Sequence, residues 1–221
     1  MSSLDSLVAI EKDWRRLTPK TAAPFQTFTW NLAWYRNFLS EESDMRVLVF
    51  CCEGRIVAIL PGYSKGNQIR LAGDCTCDYQ DLLAENESLV PGVLEALSGW
   101  QKRDAPRQYF FFEKLSSEGL LHRSLVEENV ISEGMLMYSR CYAPCPFVLL
   151  RGGLEDYLSS LPARVRQDFR RSLKRLDREC PVSRVEIFRD LSIRVDTLTE
   201  AAAFHSRHFR KEGVSPLGDP R

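Results

Sequence analysis

Residues 45–63, MRVLVFCCEGRIVAILPGY, hold two runs rich in Val, Ile, Leu and Phe, Met45 to Cys52 and Arg55 to Tyr63, separated by Glu53-Gly54. Such runs on either side of a Gly-containing turn predict a β-hairpin. A second break at Lys65-Gly66-Asn67 feeds Gln68 to Ala72. Three sequential antiparallel strands are expected, with Tyr79 to Leu83 continuing the sheet beyond the Gly73-Asp74 turn.

Upstream of the hairpin the period changes. Leu7, Ile10, Trp14 and Leu17 recur at three- and four-residue steps, which marks one face of a helix that Thr18-Pro19 ends. Pro24 to Thr29 leads into a second helix, with Trp30, Trp34 and Phe38 every four residues and Thr29 as its expected N-cap. Three large aromatics on one stripe read as core.

Downstream, Val90 to Trp100 reads as a helix with Val90, Val93, Leu94, Leu97 and Trp100 on one face and Pro91 in its first turn. Gln108 to Glu113 is short, continuous and aromatic, which predicts a central strand buried on both faces. A helix from about Ser117 to Glu127 and strands at Met135 to Cys141 and Phe147 to Leu150 follow. The order helix, helix, three strands, helix, strand, helix, two strands predicts an α/β protein with a mixed sheet and right-handed later crossovers.

After Arg151-Gly152-Gly153 the composition shifts, so the expected organisation is a first domain over 1–152 and a second segment over 153–221. Between Arg164 and Arg178 seven basic residues face two acidic ones, Asp168 and Asp177. Val165, Phe169, Leu173 and Leu176 fall on one narrow stripe, so an amphipathic helix with a buried apolar side and a cationic outer side is expected. A strand over Val182 to Phe188, a helix over Leu191 to Phe209 and a Pro/Gly-containing tail from Gly213 complete the reading.

Composition narrows the function classes. The chain has 221 residues, 44% of them hydrophobic, which is enough for a full-sized core. Lys plus Arg is 30 and Asp plus Glu is 30, so no overall charge favours nucleic acid or an anionic membrane. No apolar run is long enough to span a bilayer, and Asp5 stands where a secretory leader carries Lys or Arg. The chain is therefore read as cytoplasmic. Its seven cysteines show no disulfide framework and are read as reduced. A four-thiolate zinc site could pair Cys75 and Cys77 with Cys141 and Cys145, but Cys75-Thr-Cys77 misses the usual ligand spacing, and no metal is assigned.

Several short stretches carry a resemblance. The element order over residues 7 to 150 resembles a GNAT acyltransferase domain. Trp14, Pro24-Phe25-Gln26-Thr27, Trp30, Asp78-Tyr79-Gln80-Asp81-Leu82 and Leu161 to Leu176 together resemble the GNAT-family proteins of the CelD type, associated with cellulose biosynthesis in bacteria. Those are related to the FemABX aminoacyl transferases, which use two GNAT-like halves. The resemblance implies a first GNAT-like half plus the opening of a second, since members of that family run on beyond the position of Arg221.

It further implies transfer of an acyl group from acetyl-CoA to an amine or hydroxyl on a small-molecule or polysaccharide-precursor acceptor. Asp78, Tyr79 and Asp81 would shape the acceptor site, and Arg166, Arg170, Arg171 and Lys174 would hold an anionic group, with His205 at a matching family position. Loop capping by the two aspartates and a solvated face for the arginines remain open beside those roles. The sequence departs from the family at the diphosphate-binding loop, because Asp81 to Pro91 is acidic and has no glycine before Gly92. The chain is thus expected to supply the acceptor half and to lack the cofactor loop. The alternative is a non-catalytic GNAT-like scaffold that needs a partner, with homodimerisation one way to cover its exposed edge; nucleic-acid binding by Arg164 to Arg178 ranks last.

Overall fold

Leu7, Ile10, Trp14 and Leu17 are all buried, as their spacing requires. In the computed structural model, which describes residues 1–19, 23–73, 76–127, 136–141, 148, 152–182 and 194–209, that stripe belongs to two helices rather than one. Helix α1 (Leu4–Ala9) is capped by Ser3, whose side chain accepts from the Ser6 N–H. Ile10 leaves helical geometry, and α2 (Glu11–Leu17) starts again from it. A 3-10 turn over Pro24–Gln26 then sets Thr27 in extended geometry, so Thr27 and not Thr29 caps α3 (Phe28–Asn37). Of its expected stripe, Trp34 is buried, whereas Phe38 is half exposed at the helix end.

The hairpin forms where its sequence places it. Glu53 and Gly54 both take positive φ, 49° and 78°, the geometry of a type I′ turn. It is longer than one sheet can carry flat, and it breaks into β1 (Ser43–Met45), β2 (Leu48–Cys52), β3 (Arg55–Leu60) and β4 (Gly62–Lys65). Pro61 has no N–H to give, and Gly62 sits so close to its neighbours that a Cβ would lie 2.9 Å from the Arg46 carbonyl oxygen and 3.1 Å from that of Arg70.

Beyond the break, β4 pairs with β5 (Gln68–Leu71), and β3 pairs with β6 (Leu83–Ala84). With β7 (Tyr109–Phe110), the result is a four-stranded sheet in the order β1-β4-β5-β7 and a three-stranded sheet in the order β2-β3-β6. Of the expected Tyr79 to Leu83 strand, the ladder contains Leu83, while Gln80 makes a single parallel bridge to Leu115.

Side chains alternate across β3 and so build two cores. Ile59 joins Leu7, Trp14, Phe28, Trp34 and Val47 on the side of α1 to α3. Ala58 and Leu60 join Val90, Val93, Leu94, Leu97 and Leu121 on the side of α4 (Val90–Asp104). Helices therefore cover both faces of the sheet that contains β3. Each fully buried Leu or Ile in these cores contributes about 1.5–3 kcal/mol.

Two expectations downstream are corrected. The Gln108 to Glu113 segment is not a central strand: only Tyr109–Phe110 (β7) is extended, it pairs in parallel with β5 at the end of its sheet, and Tyr109 is exposed. Its aromatics are used locally, Phe110 and Phe112 against the α4 core and Phe111 under the Arg70 guanidinium at 4.6 Å. The helix expected over 117–127 is a short α5 (Leu120–His122) continued by one π turn over Arg123–Glu127. Residues 136–141 are not a strand, and Leu136 and Tyr138 stand out in solvent. The strand expected over 147–150, most of the one over 182–188 and the tail from 213 lie outside the described residues.

The chain divides into two units, Met1–Tyr142 and Ala143–Arg221. The second unit holds α6 (Leu154–Ser160), α7 (Ala163–Glu179) and α8 (Val195–Phe209). Helix α7 is the basic helix of the sequence, but no residue on it is buried, against the expected buried apolar side. Its stripe holds only four apolar side chains along the whole helix, and Val165, Leu173 and Leu176 are each nearly half exposed. No helix among the described residues is long and apolar enough to cross a membrane.

Candidate functional site: a groove between β2 and α4

One groove of the first unit comes from side chains the hairpin sends toward α4. Leu48 and Phe50 pack on the α4 side of the sheet, and Val49 packs on the opposite side with Ile56. The ladder shifts register between Phe50 and Cys51, because Phe50 faces Ala58 while Cys51 faces Ile56, which leaves Val57 as the extra residue of a bulge. Cross-strand partners share a face, so Cys51 goes with Ile56, and Cys52 goes with Arg55 on the α4 side.

On the facing helix Gly92, Ala96 and Trp100 recur every four residues, with open space where Gly92 would carry a Cβ. Two small residues in that row keep the helix surface low, and Trp100 rises at its end. The groove left between strand and helix has a volume of about 480 Å³, with Val57, Val93 and Leu97 among its apolar walls. This is within the size of small-molecule sites, about 300–1,000 Å³.

A polar hollow of about 490 Å³ adjoins it and shares Cys52, Val57 and Leu89 with the groove. Its own walls are Glu53, Arg55, Glu85 and Asn86. Glu85 is held by Arg55 at 2.6 Å and lies 3.6 Å from Arg16, which itself donates to the Ile56 carbonyl. An apolar trough thus opens into a charged end at Cys52.

The residues singled out by the resemblance do not converge on one cavity. Asp78 is exposed and pairs with Lys114 at 3.4 Å. Tyr79 is exposed and takes φ 57°. Asp81 serves as a cap: its carboxylate accepts from the N–H groups of Leu120 at 2.6 Å, Leu121 at 2.8 Å and Leu82 at 2.8 Å. Burial raises the Asp81 carboxyl above its ordinary range, while these N–H donors and the charge of Arg123 pull the other way.

In the second unit, Arg166 donates to the carbonyls of Ser159 and Leu161 at the end of α6, and Arg171 lies 3.6 Å from Asp168. Arg170 and Lys174 extend from the same helix into solvent. His205 is half-buried on α8. Of the cysteines weighed for zinc, Cys77 is buried with its thiol directed at the Gly73 carbonyl, Cys141 is exposed, and Cys75 and Cys145 lie outside the described residues. Among the described residues no group of three or more His, Cys, Asp or Glu could hold a metal ion.

Sequence reasoning missed the groove, although its signals are present. Leu48, Phe50 and Cys52 alternate along β2, and Gly92 and Ala96 share a row with Trp100 that a reading confined to the large apolar residues of α4 passes over.

The fold and the groove define a mixed α/β domain with an open apolar trough beside an outer strand. No family model, curated protein or solved structure matches the chain.

Proposed function

We propose that the chain is an acyl-handling protein of the GNAT acyltransferase build, which binds the acyl part of an acyl-CoA thioester in the β2–α4 groove for transfer to an amine or hydroxyl acceptor. The groove carries this reading. It is long and apolar, it ends in a charged hollow, and a thioester needs both surfaces, one for its hydrocarbon and one for its carbonyl. A volume of about 480 Å³ exceeds what the acetyl group of acetyl-CoA would fill, so a longer acyl chain fits better. The diphosphate of the cofactor has no equivalent cradle at the start of α4. That helix is preceded by a 3-10 turn over Glu87–Leu89, and the carboxylates of Glu85 and Glu87 stand there beside their arginine partners.

Isothermal titration distinguishes the parts. Octanoyl-CoA is expected to bind the chain more tightly than acetyl-CoA, and acetyl-CoA more tightly than free coenzyme A. Each added methylene that enters the groove contributes about 0.8 kcal/mol. Ala96→Trp, which fills the trough from an exposed helix position, is expected to remove the chain-length dependence. Equal affinity for all three ligands would sink the proposal.

A second reading rests on a different observation. Strands β1 and β2 end their sheets, and among the described residues only Met1 pairs along that outer side, exchanging hydrogen bonds with Val47. Such an edge can accept a strand from a partner or from a second copy of the chain. A concentration-dependent mass in sedimentation would favour the homodimer.

A further inference from the structure

We infer that α7 is an interfacial helix, which lies along an anionic lipid surface with Val165, Phe169, Leu173 and Leu176 turned into the hydrocarbon boundary. The inference concerns the second unit alone and does not depend on the acyl-binding reading of the groove.

The four apolar residues follow one another at steps of four, four and three, so they share one side of the helix. None of them is buried: Phe169 is partly covered, and Val165, Leu173 and Leu176 are each nearly half exposed. From Val165 to Leu176 the stripe runs for about 16 Å at the usual rise of a helix. A narrow stripe beneath a strongly charged outer face, on a helix of low net hydrophobicity, is the pattern of a helix that lies in a membrane interface and does not span it.

Charge decides what covers the stripe. Helix α7 carries seven basic residues against three acidic ones, Asp168, Asp177 and Glu179, an excess of four positive charges. Asp168 and Glu179 border the stripe on one side, and both are held within the helix, Asp168 by Arg171 at 3.6 Å and Glu179 by Arg175 at 3.0 Å. Arg166 and Arg170 border it on the other side, with Asp177 between them in projection down the axis. Among the described residues, Arg164, Arg170 and Lys174 pair with no carboxylate, so their charges are left for an anion outside the chain. An anionic bilayer offers headgroup phosphates to those cations and hydrocarbon to the stripe, and it needs no pocket shaped to four particular side chains. The long Arg and Lys stems let the charged ends reach the headgroups while the stripe sinks below them. A second copy of α7 would bring the same positive excess against the first and be repelled. Nucleic acid would satisfy the cations but leave the stripe in water.

The test is co-sedimentation of the full chain with vesicles of pure phosphatidylcholine and with vesicles of about three parts phosphatidylcholine to one of phosphatidylserine. Binding is expected to the mixed vesicles alone, with release at about 0.5 M salt, where the attraction is screened. Leu173→Ser should weaken that binding by about tenfold while leaving the circular dichroism of the free chain unchanged, since this side chain closes no core. Arg170→Gln with Lys174→Gln touches no packed residue and should weaken it by about fivefold for each charge removed. Failure to bind the mixed vesicles, or equal binding to the neutral ones, would overturn the inference. Undiminished binding by Leu173→Ser would overturn it as well, because the charges would then act without the stripe. A concentration-dependent mass that Leu173→Ser abolishes would give the stripe to a second copy, and binding of a duplex oligonucleotide without binding of vesicles would give the cations to nucleic acid. Either result overturns it.

Discussion

Asp81 accepts three backbone N–H groups, and two of them, from Leu120 and Leu121, open a helix 39 and 40 residues further along the chain. Replacing it with Ala is expected to cost about 1–2 kcal/mol, the usual loss for a cap, measured by urea unfolding. Its ionisation gives a second handle. Burial raises the Asp81 pKa above 3.8, so the folded chain holds this proton more tightly than the unfolded one. Its contribution to stability is therefore fully present below the ordinary pKa and is lost as pH rises through the raised value. Asp81→Asn keeps an acceptor but does not titrate, so it should flatten that fall when unfolding free energy is followed across the acid range. The sequence left capping and acceptor binding equally open at this residue. Its partners are remote along the chain, and local spacing carries no information about them. Asp78 and Tyr79 differ from it in this respect: side by side with Asp81 in sequence, they face solvent in the structure, so the three do not act as a unit.

Helix and strand identities were legible wherever periodicity and turn chemistry agreed, and they failed where one segment had to serve two neighbours. Gly54 marks the turn because it takes positive φ without steric cost, Glu53 beside it is held at φ 49°, and the β2–β3 pairing follows from that turn. The division of the hairpin at Arg46 and Pro61 was not legible, since it depends on β5 and β6 arriving on the far side at different places. Gly62 is the test of that division. A methyl group there would meet two backbone carbonyls, from Arg46 and Arg70, neither of which can swing aside as a side-chain end could. Tyr35 also donates to the Gly62 carbonyl at 2.9 Å from a buried position, which fixes the same peptide from the helix side. Gly62→Ala is expected to destabilise by about 2 kcal/mol through overpacking, seen as a lower Tm by circular dichroism. The opposite error befell Gln108 to Glu113. Continuous aromatic character there reads as a central strand, yet the rings pack on Trp100 and under Arg70 while the backbone pairs for only two residues.

Both cores are drawn from the first unit, with members running from Leu7 to Leu121. In the second unit, among the described residues, Leu158 is the single buried apolar side chain, and the long helix α7 buries none. The sequence marked a change of composition at Gly152-Gly153, whereas the units divide between Tyr142 and Ala143. Composition registers where the arginines begin, and packing registers where the first core ends, so the two need not coincide. This distribution of buried surface makes a prediction for the whole molecule. A fragment ending at Tyr142 contains each residue of both cores and is of ordinary domain size, so it is expected to unfold in one cooperative transition with a Tm close to that of the full chain. Differential scanning calorimetry of the two proteins provides the comparison. Loss of cooperativity in the shorter one would mean that residues beyond Tyr142 complete a core which the described contacts assign to the first unit alone. The fragment also retains the whole β2–α4 groove. If the first unit is stable alone and still distinguishes octanoyl-CoA from acetyl-CoA, acyl recognition belongs to that unit, and the basic helix α7 is not needed for it.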